Sequence, residues 1–415
     1  MRLPAESELK IENGSPKSSP AALTQNHVLP AEHGGGMNAA HPIELLWAGS
    51  NNGMEQALVE RAGVAFYGID TGKVRGVNAL TALTSVGKII SGVRQSLTLL
   101  DRFQPDVCFV TGGYVCTPVV IACRLRHVPV LIYLPDMMPG WAIRVLSRLA
   151  QRVAVSFPEV AAYFGGEVSK TGGRGKAVVT GYPVRQELVC AAGGGQLDAQ
   201  AHVQNRAKVR RQLAEQLHMP LVDADESNLP LVLVWGGSQG SRNINQSTWQ
   251  ALAQLLPVAH ILHVVGERDW PLLQRWQQAH PLSTELAARY HPVTYLHDEM
   301  VLALIAADLT VARAGASSLG EFTTARLPAV LVPLVGVNQW QNADLLAKRG
   351  GAVIVADTEL KEQLAPTLLA LLQDRPKRLA MEIVLADLAQ PDAARKIAHE
   401  LLTMQRRFGA HERTD

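Results

Sequence analysis

The stretch Leu309–Asn342, LTVARAGASSLGEFTTARLPAVLVPLVGVNQWQN, contains two apolar runs that each end in small or polar residues. The first run leads into a pattern typical of a helix, with Glu321 expected in its first turn. The second run ends in a cluster of amides. Because the carboxyl ends of parallel strands meet at one sheet edge, and open α/β sheets bind nucleotides there, this stretch predicts a nucleotide-binding α/β fold. An ordinary βαβ crossover with a polar loop has the same pattern.

The polar residues of this stretch suit a sugar nucleotide. A carboxylate such as that of Glu321 can accept hydrogen bonds from two ribose hydroxyls, and side-chain amides can bind the neutral hydroxyls of a sugar. The candidate amides are those of Asn338, Gln339, Gln341 and Asn342.

A second turn, rich in glycine, points the same way. The apolar run 231–235 (LVLVW) is typical of a buried parallel strand, and it leads through GGSQGS at 236–241 into the helical pattern of 243–256. Glycine lets the backbone approach a ligand closely, and a helix N-terminus favours phosphate. A tight turn without a ligand would look similar.

Five segments, in the same order along the chain, resemble motifs of the MurG-like glycosyltransferases of family 28. GGSQGSRNIN is similar to the family's GGSQGARxxN, RAGASSLGE to its R-S/A-G-A-x-T-x-x-E, and NQWQNA to its QxxNA. In the first half, VTGGYV at 110–115 resembles the GGYVS turn, and VTGYPVR at 179–185 resembles VxGNPVR. The resemblance extends from about residue 45 to the C-terminus.

The resemblance implies a GT-B fold, an α/β architecture of two Rossmann-like domains with parallel sheets facing a cleft. It implies inverting transfer of N-acetylglucosamine (GlcNAc) from UDP-GlcNAc to undecaprenyl-diphospho-MurNAc-pentapeptide, the conversion of lipid I to lipid II in peptidoglycan synthesis. The donor-binding residues that it implies are Arg185, Gly237, Ser238, Gln239, Arg313, Ala316, Ser317, Glu321, Gln339 and Asn342. The acceptor-side residues are Gly112, Gly113 and Tyr114. Arg313 has an alternative role in which it only braces its loop.

The catalytic base is where the sequence departs from the family. The family begins with a strand, a GGTGGH loop and a helix, and the loop histidine is the usual candidate base. Here the strand at 45–49 resembles the family's second strand, so about 30 residues of a first βα unit are expected to be missing. His33 and His41 are poor replacements. Asp136 stands where the family has the Asn of His-Glu-Gln-Asn, and it is a candidate base or an N-cap for a helix near Trp141.

No cofactor or metal is expected besides the donor substrate. No DxD-like pair stands at a strand end, and the helix N-termini after Gly240 and Ala316 can stabilise a departing diphosphate. The spacing of Cys108, Cys116, Cys123 and Cys190 fits reduced thiols better than a metal site or disulfides.

Charge and composition bear on the partners. The 415 residues are 47% hydrophobic, enough for two cores, without a signal peptide or an apolar run that approaches about 20 residues. Residues 1–185 carry a net charge of +5 and the remainder −3. The expected partners are UDP-GlcNAc, an undecaprenyl-linked acceptor and the anionic inner-membrane surface, with no nucleic acid, and the expected location is peripheral on the cytoplasmic face.

Two stretches mix basic and apolar residues and could contact a membrane: 73–102 and 141–152. A core helix with a solvated basic side has the same composition, and we favour that interpretation for 141–152. In the family the first stretch is the expected membrane patch, here Lys73, Arg75, Lys88, Ile89, Ile90 and Arg94.

The pattern predicts five segments. They are a disordered leader at 1–42, an acceptor-side domain at 43–188, a linker at 189–229, a donor-binding domain at 230–388, and a C-terminal helix at 389–415 that packs back on the first domain. Strands are expected near 43–48, 107–111, 129–134, 152–155, 177–180, 231–235, 261–265, 293–296, 308–312, 329–332 and 352–355.

Three other functions fit parts of the pattern. The enzyme could use a different lipid acceptor, with the altered residues around Asp136 as its signature. It could be a catalytically impaired remnant that still binds the donor. A UDP-GlcNAc 2-epimerase of GT-B fold fits less well, because the GGSQGS and NQWQNA loops match the transferases better.

Overall fold

A computed structural model gives the fold of this protein. The described residues are 43–51, 55–71, 79–113, 115–165, 168–169, 175–195, 198–220, 229–237 and 240–408. The chain divides into two compact units, residues 1–96 and 97–415. Residues 1–42, which the sequence predicts to be a disordered leader without a first βα unit, lie outside the described residues.

The described part of the first unit is a small parallel βαβ arrangement. It contains strand β1 (Leu46–Ser50), helix α1 (Gln56–Arg61), strand β2 (Ala65–Ile69) and most of helix α2 (Ala79–Phe103), which ends in the second unit. β1 and β2 pair in parallel from Leu46 opposite Ala65 to Ser50 opposite Ile69. The sequence predicted a strand at 43–48, which begins three residues and ends two residues before β1 does. It did not predict β2, because β2 is short and has no clear alternation of polar and apolar residues.

The second unit contains a five-stranded parallel sheet in the order β3-β4-β5-β7-β6. Its strands are β3 (Cys108–Val110), β4 (Val130–Leu134), β5 (Arg152–Val155), β6 (Val168–Ser169) and β7 (Ala177–Val179). Its connections include helix α3 (Cys116–Leu125), helix α4 (Trp141–Leu146) and a 3₁₀ helix (Pro158–Phe164). Every residue of β4 is buried, as a continuous apolar run predicts for a central parallel strand.

A helical connection follows this sheet. It contains α5 (Gln186–Ala191), a 3₁₀ turn (Gly193–Gly195) and α6 (Ala199–Leu217). Asp198 caps α6 by accepting a hydrogen bond from the Ala201 backbone amide at 2.7 Å. Arg210 of α6 binds the Asp308 carboxylate at 2.6 Å, which ties α6 to the sheet that follows.

The second unit also contains a six-stranded parallel sheet in the order β10-β9-β8-β11-β12-β13. Its strands are β8 (Leu231–Trp235), β9 (His260–Val264), β10 (Tyr290–Val293), β11 (Leu309–Ala312), β12 (Ala329–Leu331) and β13 (Ala352–Ile354). Its helices are α7 (Arg242–Leu255), α8 (Trp270–Ala279), α9 (Thr284–Ala287), α10 (Glu299–Ala306), α11 (Ala316–Ala325), α12 (Gln339–Arg349), α13 (Leu360–Gln373) and α14 (Arg375–Leu388).

One strand prediction in this sheet was wrong. The sequence placed a strand at 293–296, whereas β10 covers Tyr290–Val293 and includes Pro292. Proline cannot donate a backbone hydrogen bond, but an edge strand tolerates it, and β10 is at the edge of the sheet.

The last helix, α15 (Ala393–Phe408), packs on the five-stranded sheet. Ile397 and Met404 belong to a buried cluster with residues of three strands, namely Leu131, Tyr133, Ala154 and Val178. Within this contact the Arg152 guanidinium and the Glu400 carboxylate form a buried ion pair at 3.0 Å.

We expect Glu400→Ala to lower the free energy of unfolding by about 3–5 kcal/mol, because it leaves the buried Arg152 charge without this carboxylate. Urea denaturation of the wild type and the variant measures the effect. The double variant Arg152→Met/Glu400→Met is the matched control, and it should lose much less stability because no buried charge remains. A loss below about 1 kcal/mol in Glu400→Ala would show that the pair is not energetically important.

Candidate functional site

The glycine-rich turn between β8 and α7 is a close backbone turn. Gly237 and Gly240 have φ angles of 88° and 73°, in the left-handed region that favours glycine. The Gly240 amide donates to the Gly237 carbonyl at 3.0 Å, and a Cβ on Gly240 would lie 2.7 Å from the Val265 carbonyl oxygen. The turn therefore needs glycine and leads directly into α7. Ser238 and Gln239, two of the predicted donor ligands, lie outside the described residues.

A buried histidine supports the helix after this turn. His263 of β9 is fully buried, with Nδ1 3.0 Å from the Tyr290 hydroxyl and Nε2 3.0 Å from Asn245 Oδ1 on α7. The Asn245 amide in turn donates to the Val265 carbonyl at 2.9 Å. Burial lowers the pKa of His263 to about 3, so the ring is neutral at physiological pH.

This depressed pKa makes stability depend on pH. Between the unfolded value of about 6.5 and the folded value of about 3, the unfolded chain binds a proton at this site that the folded protein does not. Stability therefore falls as the pH is lowered below about 6.5. At pH 5.5, protonation of His263 in the unfolded chain lowers the free energy of unfolding by about 1 kcal/mol.

We expect His263→Gln to reduce the pH dependence of the unfolding free energy by about one proton between pH 6.5 and 5. Urea denaturation at several pH values measures it. His280→Gln, which replaces an exposed histidine outside the contact of His263 with Tyr290 and Asn245, is the matched control and should keep the contribution of His263 to the slope. An unchanged slope in His263→Gln would contradict the assignment.

The second strand-to-helix turn presents Glu321. Gly315 is the N-cap of α11, and Ala316 and Ser317 form the first turn of this helix. Glu321 is its sixth residue, so the expectation that it lies in the first turn was wrong. Its side chain is half-buried, and burial raises the pKa of its carboxyl, an effect opposed by the nearby Arg185 guanidinium. Arg185 itself is exposed at the N-cap of α5.

Arg313 braces the loops at this edge of the sheet. Its guanidinium donates to the Val332 carbonyl at 3.2 Å, to the Asp357 carboxylate at 2.5 Å and to the Ser241 hydroxyl at 2.6 Å. Asn243 of α7 also donates to Asp357. The bracing role left open by the sequence is therefore present, and a direct role in donor binding stays a prediction.

The amides after β12 connect the two larger sheets. The Asn342 amide nitrogen donates to Asp136 Oδ1 at 3.0 Å and to the Ala314 carbonyl at 3.1 Å, while its Oδ1 accepts from the Met137 amide at 3.0 Å. The Gln339 Oε1 accepts from the Leu334 amide at 2.9 Å. Asn342 is 1% exposed, so contact with a sugar hydroxyl requires that one of these bonds be exchanged.

Asp136 lies just after β4 and is half-buried. The N-cap of α4 is Gly140, and no side chain caps that helix, so the N-cap alternative for Asp136 was wrong. Its carboxylate accepts a hydrogen bond from the side-chain amide of Asn342, which belongs to the NQWQNA segment. The structure therefore brings together a carboxylate at the end of one sheet and an amide at the end of the other.

Tyr182 is a neighbour of this site that sequence reasoning missed. Its ring stacks edge-on against Tyr133 at 6.3 Å, and it packs so closely on α11 that a Cβ on Gly320 would lie 2.7 Å from it. Burial raises the pKa of its hydroxyl and the Glu321 carboxylate raises it further, whereas a hydrogen bond from Ser317 lowers it. The available signal was that Tyr182 replaces the asparagine of the family's VxGNPVR segment.

The remaining predicted residues lie on other elements. Gly112 and Gly113 follow β3 with φ angles of 116° and 90°, and Tyr114 lies outside the described residues. In the first unit, Lys88, Ile90 and Arg94 are exposed on α2 and Ile89 is half-buried. Lys73 and Arg75 lie outside the described residues.

Three further observations concern the cysteines, metal ligands and membrane spans. All four cysteines are free thiols. Within the described ranges, no group of three or more His, Cys, Asp or Glu side chains is arranged to hold a metal ion. Among the helices of the described part of the chain, none has the length and apolar character needed to cross a bilayer.

Comparison with known proteins identifies the family. The model of the glycosyltransferase family 28 N-terminal domain matches residues 37–155, and the model of its C-terminal domain matches residues 231–397. The UDP-N-acetylglucosamine–N-acetylmuramyl-(pentapeptide) pyrophosphoryl-undecaprenol N-acetylglucosamine transferase of Roseiflexus sp. (strain RS-1) is 37% identical, over 90% of this chain and 88% of that protein. The chain belongs to the MurG-type transferases of glycosyltransferase family 28. The predictions of family and of enzyme class are thus confirmed.

Solved structures agree with this family. The crystal structure of Acinetobacter baumannii MurG matches with a TM-score of 0.65 at 25% identity, over 86% of this chain and 91% of that one. The GT-B prediction is therefore confirmed. A UDP-GlcNAc 2-epimerase from Neisseria meningitidis matches with a TM-score of 0.57 at 14% identity, over 86% of this chain and 91% of that one, which shows a shared fold alone.

Proposed function

We propose that this MurG-type protein transfers GlcNAc from UDP-GlcNAc to undecaprenyl-diphospho-MurNAc-pentapeptide, with inversion at the anomeric carbon. The observation that carries the proposal is the 37% identity, over nine-tenths of the chain, to a transferase whose name states this reaction. The arrangement of Glu321, the glycine-rich turn and Asp136 around two strand-end loops supports it.

The donor half of the mechanism uses one carboxylate and two helix N-termini. Glu321 accepts hydrogen bonds from the ribose hydroxyls, which its half-buried position after β11 favours. The N-termini of α7 and α11 both follow strands of one sheet, and their backbone N–H groups stabilise the negative charge that develops on the diphosphate. The reaction is then independent of metal.

The acceptor half requires a base. The acceptor hydroxyl oxygen attacks the anomeric carbon, its proton passes to the Asp136 carboxylate, and the bond from that carbon to the diphosphate oxygen breaks, releasing UDP. The hydrogen bond from Asn342, at 3.0 Å, orients the carboxylate and leaves its second oxygen for the acceptor.

Acceptor binding and donor binding are divided between the two larger sheets. Residues 43–188 form the acceptor side, 230–388 bind the donor, 189–229 link the two, and 389–415 complete the acceptor side through α15. The protein is peripheral on the cytoplasmic face of the membrane, where exposed Lys88, Ile90 and Arg94 of α2 meet anionic lipid. Nucleic acid is not a partner.

A second candidate function is transfer to a different lipid-linked acceptor. The observation that favours it is the sequence Tyr-Leu-Pro-Asp at 133–136, in place of the family's His-Glu-Gln-Asn, which puts Tyr133 and Asp136 beside Tyr182.

Acceptor competition separates the two candidates. Purified protein is incubated with UDP-GlcNAc and equal amounts of lipid-linked MurNAc-pentapeptide, lipid-linked MurNAc without the peptide, and a neutral glycolipid. We expect a β-linked product on the MurNAc-pentapeptide acceptor, identified by mass spectrometry and proton NMR. Preferred transfer to the glycolipid would support the second candidate, and an α-linked product would contradict the inverting mechanism.

A further inference from the structure

The loop between β12 and α12 exposes large apolar side chains. Val335 is 82% exposed, Val337 and Trp340 are each 51% exposed, and Leu334 is also exposed. Single exposed apolar residues are common, but a contiguous group marks a surface that a protein, a membrane or a ligand covers.

The loop is held in this exposed shape. The side-chain Oε1 of Gln339 accepts a hydrogen bond from the Leu334 backbone amide at 2.9 Å. The backbone amide of Gln339 donates to the Val337 carbonyl at 2.8 Å. Gly336, at the tip, has a φ of 86°. These bonds close the loop across its base and keep Val335 and Val337 at its tip instead of folded into the core.

A second exposed group adjoins the loop. The Asn338 amide nitrogen donates to the Met138 carbonyl at 3.3 Å, and α4 begins three residues after Met138, at Trp141. Trp141 is 70% exposed, and Val145, one turn later, is also exposed. We call the six side chains together the apolar rim: Trp141, Val145, Leu334, Val335, Val337 and Trp340.

The exposed charges nearest to Trp141 and Val145 along the chain are basic, and the carboxylates that flank the two segments are already bonded, Asp136 to Asn342 and Asp344 to Lys348. Residues 137–151 contain Arg144 and Arg148 and no acidic residue, and residues 327–343 contain no charged residue. Both arginines are exposed, and Arg144 lies over the ring of Tyr163 at 5.3 Å. Exposed tryptophans and aliphatic side chains beside exposed arginines are the composition of a surface that lies in an anionic bilayer interface.

We propose that the apolar rim inserts into the surface of an anionic lipid bilayer. The inference deepens the proposed function and rests on it, since a lipid-linked acceptor must reach Asp136 and Asn342 from a membrane. It adds the donor-side loop to the membrane contact, whereas the sequence pointed only to 73–102 and, with less support, to 141–152.

The double variant Val335→Ser/Val337→Ser tests the proposal. We expect its affinity for vesicles containing phosphatidylglycerol to fall about tenfold in co-sedimentation, because it removes apolar area that the bilayer would bury. Ile383→Ser, which alters a 62% exposed side chain on α14, is the matched control and should bind as the wild type does. Unchanged vesicle affinity of the double variant would overturn the proposal.

Two further measurements exclude other roles. With a water-soluble short-chain acceptor, kcat/KM should be unchanged in the double variant, while with a bilayer-embedded acceptor it should fall with vesicle affinity. An equal loss of kcat/KM on both acceptors would overturn membrane insertion. So would sedimentation velocity that shows a dimer for the wild type and a monomer for the double variant. Since vesicle binding is measured without donor or acceptor, intact binding without transfer would contradict the proposed function alone.

Discussion

Replacing Asp136 by asparagine is expected to lower kcat for GlcNAc transfer by about 10²–10⁴-fold, the usual contribution of a general base. Asparagine has nearly the same shape as aspartate. It keeps an oxygen that can accept the hydrogen bond that Asn342 donates to Asp136 at 3.0 Å in the wild type. It cannot take the proton of the acceptor hydroxyl at neutral pH. The Kd for UDP-GlcNAc should therefore stay within about twofold of the wild-type value, since the donor contacts are unchanged.

Steady-state kinetics with a lipid-linked acceptor, together with donor titration by calorimetry, measures both quantities. Asp344→Asn is the matched control, because it removes a carboxylate that pairs with Lys348 on the surface of α12 and should change kcat less than twofold. Turnover of Asp136→Asn equal to that of the wild type would reduce Asp136 to a structural residue. Loss of donor affinity in step with kcat would show that it acts on the donor.

Replacing Glu321 by alanine is expected to weaken UDP-GlcNAc binding by about 1–3 kcal/mol, the value of a hydrogen bond to a charged group. This corresponds to a Kd about 5- to 150-fold higher. The side chain is half-buried in the second turn of α11 and faces the positive charge of Arg185. Because a ribose hydroxyl donates to the ionised carboxylate, the affinity should come from that form.

The raised pKa of Glu321 adds a second expectation. As the pH falls through this pKa, the carboxylate is protonated and donor affinity of the wild type should fall, whereas Glu321→Ala should show no such loss. Calorimetry at several pH values measures this, with Glu285→Ala, an exposed residue of α9, as the control. Unchanged affinity in Glu321→Ala would remove the assignment of this residue to the ribose.

Much of the fold could be predicted because parallel strands are continuous apolar runs. The runs at 130–134, 152–155 and 231–235 are strands within a residue of the expected ends. Short edge strands were predicted less well. Strand Tyr290–Val293, for example, contains a proline that is tolerated because the strand lies at the sheet edge.

The site was predictable in its parts and not in its assembly. Glu321 and the glycine-rich turn follow from local pattern. The bond between Asp136 and Asn342 joins residues 206 positions apart, and no local periodicity predicts such a contact. The sequence also left Arg313 between bracing and binding, because only the fold shows that Asp357 and Ser241 lie within reach of its guanidinium.

Transfer of labelled GlcNAc from UDP-GlcNAc to a short-chain lipid-linked MurNAc-pentapeptide, with EDTA present, tests the central claim most directly. We predict a product that accumulates with time, at a rate that EDTA does not change, alongside donor binding in calorimetry. Donor binding without any transfer would contradict the claim, and it would identify the protein as a donor-binding relative that has lost catalysis.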